Sequence, residues 1–161
     1  MTRPRSLADV AALSDGTRAF AYAVSEFLDQ FRLERRAAML ADEPARLAPR
    51  YDGGDVADAY LAAVAVSLAR EIGVPPPSWA WHQSRKLRRP WFAHPGAALR
   101  ATLLAESPAP FRERNLFVSA NALSRARPWP IEPILEPLAD HCPVPFKPIW
   151  PARRGHGAPP R

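Results

Sequence analysis

Proline is placed so that it limits where this chain can build long helices. Residues 1–74 contain three prolines and residues 75–161 contain seventeen. A proline has no backbone N–H and clashes with the preceding turn, so helix interiors exclude it. Long helices are therefore confined to the first half, and the second half must use short elements. Charge divides at the same place. Residues 1–74 carry 9 Lys/Arg against 11 Asp/Glu, and residues 75–161 carry 13 against 5. A near-neutral helical half thus precedes a basic, proline-punctuated one.

In the first half, Phe20, Val24, Phe27, Leu28 and Phe31 recur with the period of one helical stripe. Ser14 or Asp15 can cap this helix, which is expected to run to about Ala41, ahead of Pro44. "YDGGD" at 51–55 reads as a loop. A second helix is expected from Val56 to about Ile72, with Val56, Tyr60, Val64 and Leu68 repeating every four residues. Gly73 suits the left-handed position after it. The short connection suggests an antiparallel pair.

Beyond "PPP" at 75–77 the expected elements shrink. They are a turn carrying Trp79 and Trp81, a helix over Pro95–Glu106 with Leu99, Leu103 and Leu104 inward, and a short helix in "PAPFRER". "LFVS" at 116–119 is β-prone but too short to imply a sheet alone. The expected fold is mainly α: a compact helical domain over 1–142 on a long antiparallel helix pair, with short proline-punctuated helices and room for one short strand. An extended, proline-rich basic arm is expected over 143–161.

An apolar fraction of 47% over 161 residues is that of one folded domain. The N-terminus lacks the apolar core of a secretion signal, and the longest uncharged apolar run, 59–69, is too short to span a bilayer. The single cysteine, Cys142, cannot form an internal disulfide. These features lead to the expectation of a cytoplasmic protein with no membrane partner.

Chemistry is sparse. His82, His94, His141, His156 and Cys142 have no zinc-motif spacing, so no metal is expected. No G-x-S-x-G elbow, Walker loop or dinucleotide glycine pattern occurs, so neither a catalytic residue nor a cofactor is expected. An enzyme with an unrecognised site stays as a second alternative.

The segment "SRKLRRPWF" at 84–92 is the exception. Arg85, Lys86, Arg88 and Arg89 offer charge to an acidic protein face or to phosphates, whereas Trp91 and Phe92 are expected to anchor the turn against the helices. Arg112 and Arg114, flanking Glu113, join the candidate basic surface; self-pairing or solvation is the plainer account of them. In the arm, Phe146, Ile149 and Trp150 lie outside any expected helix, free to fold back or to be bound by another chain.

"LLAESPAPFRERNLFVSANALSRA" at 103–126, "FLDQFR" at 27–32 and "RRPWF" at 88–92 resemble a family of small, mostly uncharacterised bacterial proteins. The resemblance covers roughly residues 15–127. In similar proteins this region follows a DNA-binding helix-turn-helix, in a gene pair with a nucleotidyltransferase-like protein. That arrangement is similar to a toxin–antitoxin system. The resemblance implies an antitoxin-like module whose partner is a cognate toxin. Here only about 14 residues precede the first long helix, too few for a helix-turn-helix, which puts operator binding in doubt. The expected function is non-enzymatic neutralisation of a toxin through the basic–aromatic surface and the arm. Nucleic-acid binding by the same basic patch is the alternative.

Overall fold

The computed structural model describes residues 3–124. The expected arm over 143–161 and the proline-rich stretch from 128 onward lie outside these residues. The described part is mainly α. In chain order it contains α1 (Leu7–Ala12), α2 (Thr17–Glu34), α3 (Ala38–Ala41), α4 (Gly54–Glu71), β1 (Trp91–Phe92), α5 (Ala97–Glu106), α6 (Ala109–Arg112) and β2 (Leu116–Phe117). Two 3-10 turns, Ser78–Trp81 and Gln83–Arg85, lie between α4 and β1.

The short helix α1 precedes the expected first helix. "SLAD" forms a capping box: the Ser6 hydroxyl accepts from the Asp9 N–H, and the Asp9 carboxylate accepts from the Ser6 N–H. These bonds satisfy orphan donors of the first turn. In α2 the stripe Phe20, Val24, Phe27, Leu28 and Phe31 is buried, as its spacing predicts. The helix stops at Glu34 rather than near Ala41. Arg35 turns left-handed there (φ 48°), its N–H still bonded to the Phe31 carbonyl. Closure by a left-handed residue comes nine positions before the proline expected to end the helix.

The core is organised around α4. Every residue from Ala57 to Val66 is buried, so this helix has no solvent face over that length. A helix that is apolar all round belongs at a centre. Phe20 of α2 and Phe111 of α6 both meet the Tyr60 ring edge-on, at centroid distances of 6.0 and 5.2 Å. Gly73 takes the left-handed conformation expected after the helix (φ 72°).

The antiparallel pairing of the two long helices is not what forms. Like ends lie together: Gly53 before α4 adjoins Thr17 at the start of α2, and Phe20 meets Tyr60. At the far end Arg35 pairs with Glu71 at 3.2 Å. The helices therefore run in the same sense. The physical reason is the connection, residues 35–53, which contains α3 and is long enough to carry the chain back to the starting end.

The two short strands pair in parallel, Trp91 opposite Leu116 and Phe92 opposite Phe117. Parallel partners need a crossover, here α5 and α6. Phe92 and Phe117 stack with ring centroids 4.9 Å apart. The first two residues of "LFVS" therefore form a strand, completed by "WF" from 25 residues earlier. Of α5 only Leu103 is buried. Leu99 and Leu104, expected inward, are 43% and 47% exposed, because the crossover leaves most of the helix outside the core.

Candidate functional site

The basic segment is shaped by one buried carboxylate. Asp58 of α4 is fully buried and accepts four hydrogen bonds. Two come from the backbone amides of Leu47 and Ala48, both at 3.0 Å. The others come from Arg46 Nε at 2.8 Å and Arg85 Nη1 at 2.9 Å. A carboxylate inside an apolar helix must be paired to be tolerated, and this one has all its strong donors inside the protein. Gly54 permits the arrangement. A methyl group there would overlap the Leu47 carbonyl, so only glycine lets the 47–48 backbone lie against the start of α4.

Arg85 is the second half of this network. Its guanidinium also donates to Glu43 Oε1 at 3.2 Å and to the Pro44 carbonyl, and it lies 5.3 Å from the centre of the Trp79 ring. Trp79 is itself buried, its indole N–H donating to the Leu40 carbonyl at 3.2 Å. Arg85, expected on a partner-facing surface, is thus enclosed with no solvent-exposed surface. Its charge is required to balance Asp58.

Arg114 is corrected in the same way. It is fully buried, donating to the carbonyls of Pro110 and Ala80, both at 2.7 Å, and lies 5.2 Å from the Trp81 ring centre. Burial lowers the pKa of its guanidinium, and Glu113, 3.8 Å away, opposes that shift. Arginine suits both positions because its planar fork reaches several acceptors at once. Arg112 is exposed at the end of α6 and lies away from the groove described next.

With Arg85 drawn inward, Lys86, Arg88 and Arg89 are left outside. The segment is pinned at two further points. The Leu87 N–H donates to the Arg114 carbonyl at 3.2 Å, and Asn115 Nδ2 donates to the Leu87 carbonyl at 2.7 Å. Downstream the Trp91 N–H donates to the Asn115 carbonyl at 2.8 Å, which sets the start of β1. Leu87 points in while its neighbours point out. Trp91 and Phe92 are half-buried, as expected of turn anchors.

Lys86, Arg88 and Arg89 line an open groove of about 700 Å³ whose other walls include Arg46, Asp55, Val56, Gln83 and Trp91. None of the three forms an ion pair with any described residue. Arg46 is spent on Asp58, so the groove presents three uncommitted cations against one carboxylate, Asp55. Trp91 adds an aromatic edge. Among the described residues no group of three or more His, Cys, Asp or Glu could hold a metal ion. No described helix is long and apolar enough to cross a membrane. Phe146, Ile149 and Trp150 lie outside the described residues.

No protein-family model matches the chain, and neither a curated protein nor a solved structure matches it.

Asp58 is the organiser of this network, and sequence reasoning passed over it. Its signal was available: it is the one charged residue in "VADAYLAAVAVSLA", an otherwise uncharged run. A carboxylate in such a run requires a cation from elsewhere. Which of the chain's 22 Lys and Arg would answer it depends on tertiary structure.

Proposed function

We propose that this protein is a non-enzymatic interaction module that seats an acidic face of a protein partner in the groove of Lys86, Arg88 and Arg89. The observation that carries the reading is that these three cations share one concave surface and have no carboxylate partner among the described residues. Arg85 supports it indirectly: the neighbouring guanidinium is fixed inside, so the outward side chains rest on a rigid base. Complementary charge of this kind chiefly sets association rate and choice of partner. The resemblance to antitoxin-like proteins names the partner class, a cognate toxin related to nucleotidyltransferases. The two long helices would serve as scaffold, and the arm carrying Phe146, Ile149 and Trp150 would add contacts.

The test is co-expression with the nucleotidyltransferase-like product of a neighbouring gene. Copurification and rescue of growth are expected. Both should be lost when Lys86, Arg88 and Arg89 are replaced together by alanine. A wild-type protein that neither copurifies nor rescues would overturn the reading.

Trp91 at the groove favours one second reading, single-stranded nucleic acid, since an aromatic face beside cations suits a stacked base. Binding would then weaken with salt at a log–log slope of about −0.7 for each phosphate engaged. Absence of any mobility shift at low salt eliminates it.

A further inference from the structure

A second surface feature lies apart from the basic groove and, among the described residues, shares no lining residue with it. What binds there is independent of what the groove binds. A cleft of about 270 Å³ is lined by α2, by Tyr60 of α4 and by residues 118–124. Its α2 residues, Ala21, Val24, Ser25 and Leu28, stand at i, i+3, i+4 and i+7 and so share one helix face. The segment 118–124 is held in place by two side chains. The Tyr60 hydroxyl donates to the Ala122 carbonyl at 3.2 Å, and the Arg32 guanidinium donates to the Leu123 carbonyl. The cleft is therefore pre-formed, as small-molecule sites usually are.

One lining group points to a ligand. Ser25 is 6% exposed, yet its hydroxyl has no hydrogen-bond partner. Serine in a helix commonly donates to the carbonyl one turn back, as Ser14 and Ser67 do here. Ser25 makes no such bond, so its lone pairs and its proton are uncommitted on the cleft wall. A buried hydroxyl left unpaired is costly, and a ligand that supplies one bond recovers that cost. The rest of the lining sets the ligand's other properties. None of the described lining residues is charged, so an ion would lose its hydration without compensation. Val24, Leu28, Val118 and Leu123 offer apolar surface, and the polar Ser119, Asn121 and Ser124 are exposed. An apolar cavity of about 150 Å³ already accepts benzene, so this one has room for a body of one or two rings. A rigid ring system loses no internal freedom on entering, whereas an alkyl chain of equal volume does.

We infer that the cleft binds a small uncharged aromatic molecule of one or two rings bearing one polar hydrogen, a hydroxyl or an N–H. Its rings pack against Val24, Leu28, Val118 and Leu123, and its polar hydrogen is donated to Ser25 Oγ. Because the walls come from α2 and from residues 118–124, the bound molecule joins parts of the chain that are distant in sequence.

The test titrates indole into the full-length protein labelled with ¹³C at its Val and Leu methyl groups. The methyl signals of Val24, Leu28, Val118 and Leu123 should shift together with one Kd below about 1 mM. Those of Leu7 and Leu40, buried outside the cleft lining, should stay in place. Ser25→Ala deletes an unpaired hydroxyl from a helix and should fold at least as well as the wild type. It should weaken indole by about fivefold to tenfold, as expected for one hydrogen bond, and leave indene, which has the same shape and no N–H, within about twofold. Absence of the methyl shifts at about 5 mM indole overturns the inference. So does a Ser25→Ala variant that holds indole as tightly as the wild type, or one that loses indole and indene alike. Shifts of the same methyl groups that follow protein concentration without indole also overturn it, and assign the cleft to a second copy.

Discussion

Arg85 and Arg88 are three residues apart in one short segment and carry the same charge. The first is enclosed and bonded to Asp58, Glu43 and the Pro44 carbonyl; the second is exposed on a groove wall with no carboxylate partner among the described residues. The difference arises from the backbone between them. Leu87 is held inward by Asn115 and the Arg114 carbonyl, so its neighbours are forced out while Arg85, in a 3-10 turn, is directed at α4. Two regions of one basic stretch thus have separate tasks. The inner one neutralises a buried carboxylate, and the outer one keeps its charge available.

The sharpest way to break this division is to remove the inner carboxylate. Asp58→Ala leaves Arg85 enclosed without its main counter-charge and frees the amides of Leu47 and Ala48. It should cost about 3–5 kcal/mol of folding stability in urea unfolding. Loss of under about 1 kcal/mol would mean that the network does not hold the segment in place. Arg85→Met should cost less, about 1–3 kcal/mol, because Asp58 keeps Arg46 and two backbone donors. Replacing Lys86, Arg88 and Arg89 by alanine should change stability by no more than about 0.5 kcal/mol each. The same triple variant should abolish partner binding. A triple variant that unfolds would show that the outer cations are structural after all.

How far the sequence discloses this division depends on what kind of interaction is involved. The α2 stripe from Phe20 to Phe31 was legible because it is a local repeat that a single helix imposes. Gly73 was legible because a glycine after an apolar helix has one common use. The direction of α2 relative to α4 was not, because it depends on the path of residues 35–53, where Arg35 ends one helix early and α3 intervenes. Nor could "RKLRR" reveal which cation turns inward. That choice is made by Asp58, 27 residues away in the chain, and by the glycine that brings the 47–48 backbone against α4. Trp91 and Phe92 were readable as turn anchors, since large aromatics beside a proline have apolar surface to bury. Nothing in "SWAW", however, tells Trp79, which is buried, from Trp81, which is 44% exposed.

The smallest effect concerns Tyr51, which borders the same network. Its hydroxyl is buried without a hydrogen-bond partner, and its pKa is pushed up to about 12, first by burial and then by the negative charge of Asp58. An acid whose folded pKa exceeds its unfolded value of about 10 stabilises the fold fully below pH 10. That contribution is lost as the pH rises toward 12, because the unfolded chain releases the phenolic proton first. Stability should therefore decline between pH 10 and 12. Tyr51→Phe removes the titrating group and should shallow this decline, leaving only the contribution of Tyr60, whose pKa burial also raises. Near neutrality the same change should be silent or stabilising by up to about 1 kcal/mol, because it deletes an unsatisfied buried hydroxyl. Thermal unfolding from pH 7 to 11 reads both effects. An unchanged alkaline slope in Tyr51→Phe would show that the phenol titrates as freely as in water. The inner region around Asp58 would then be open to solvent on that side, and the contrast with the outer cations would be weaker than the geometry indicates.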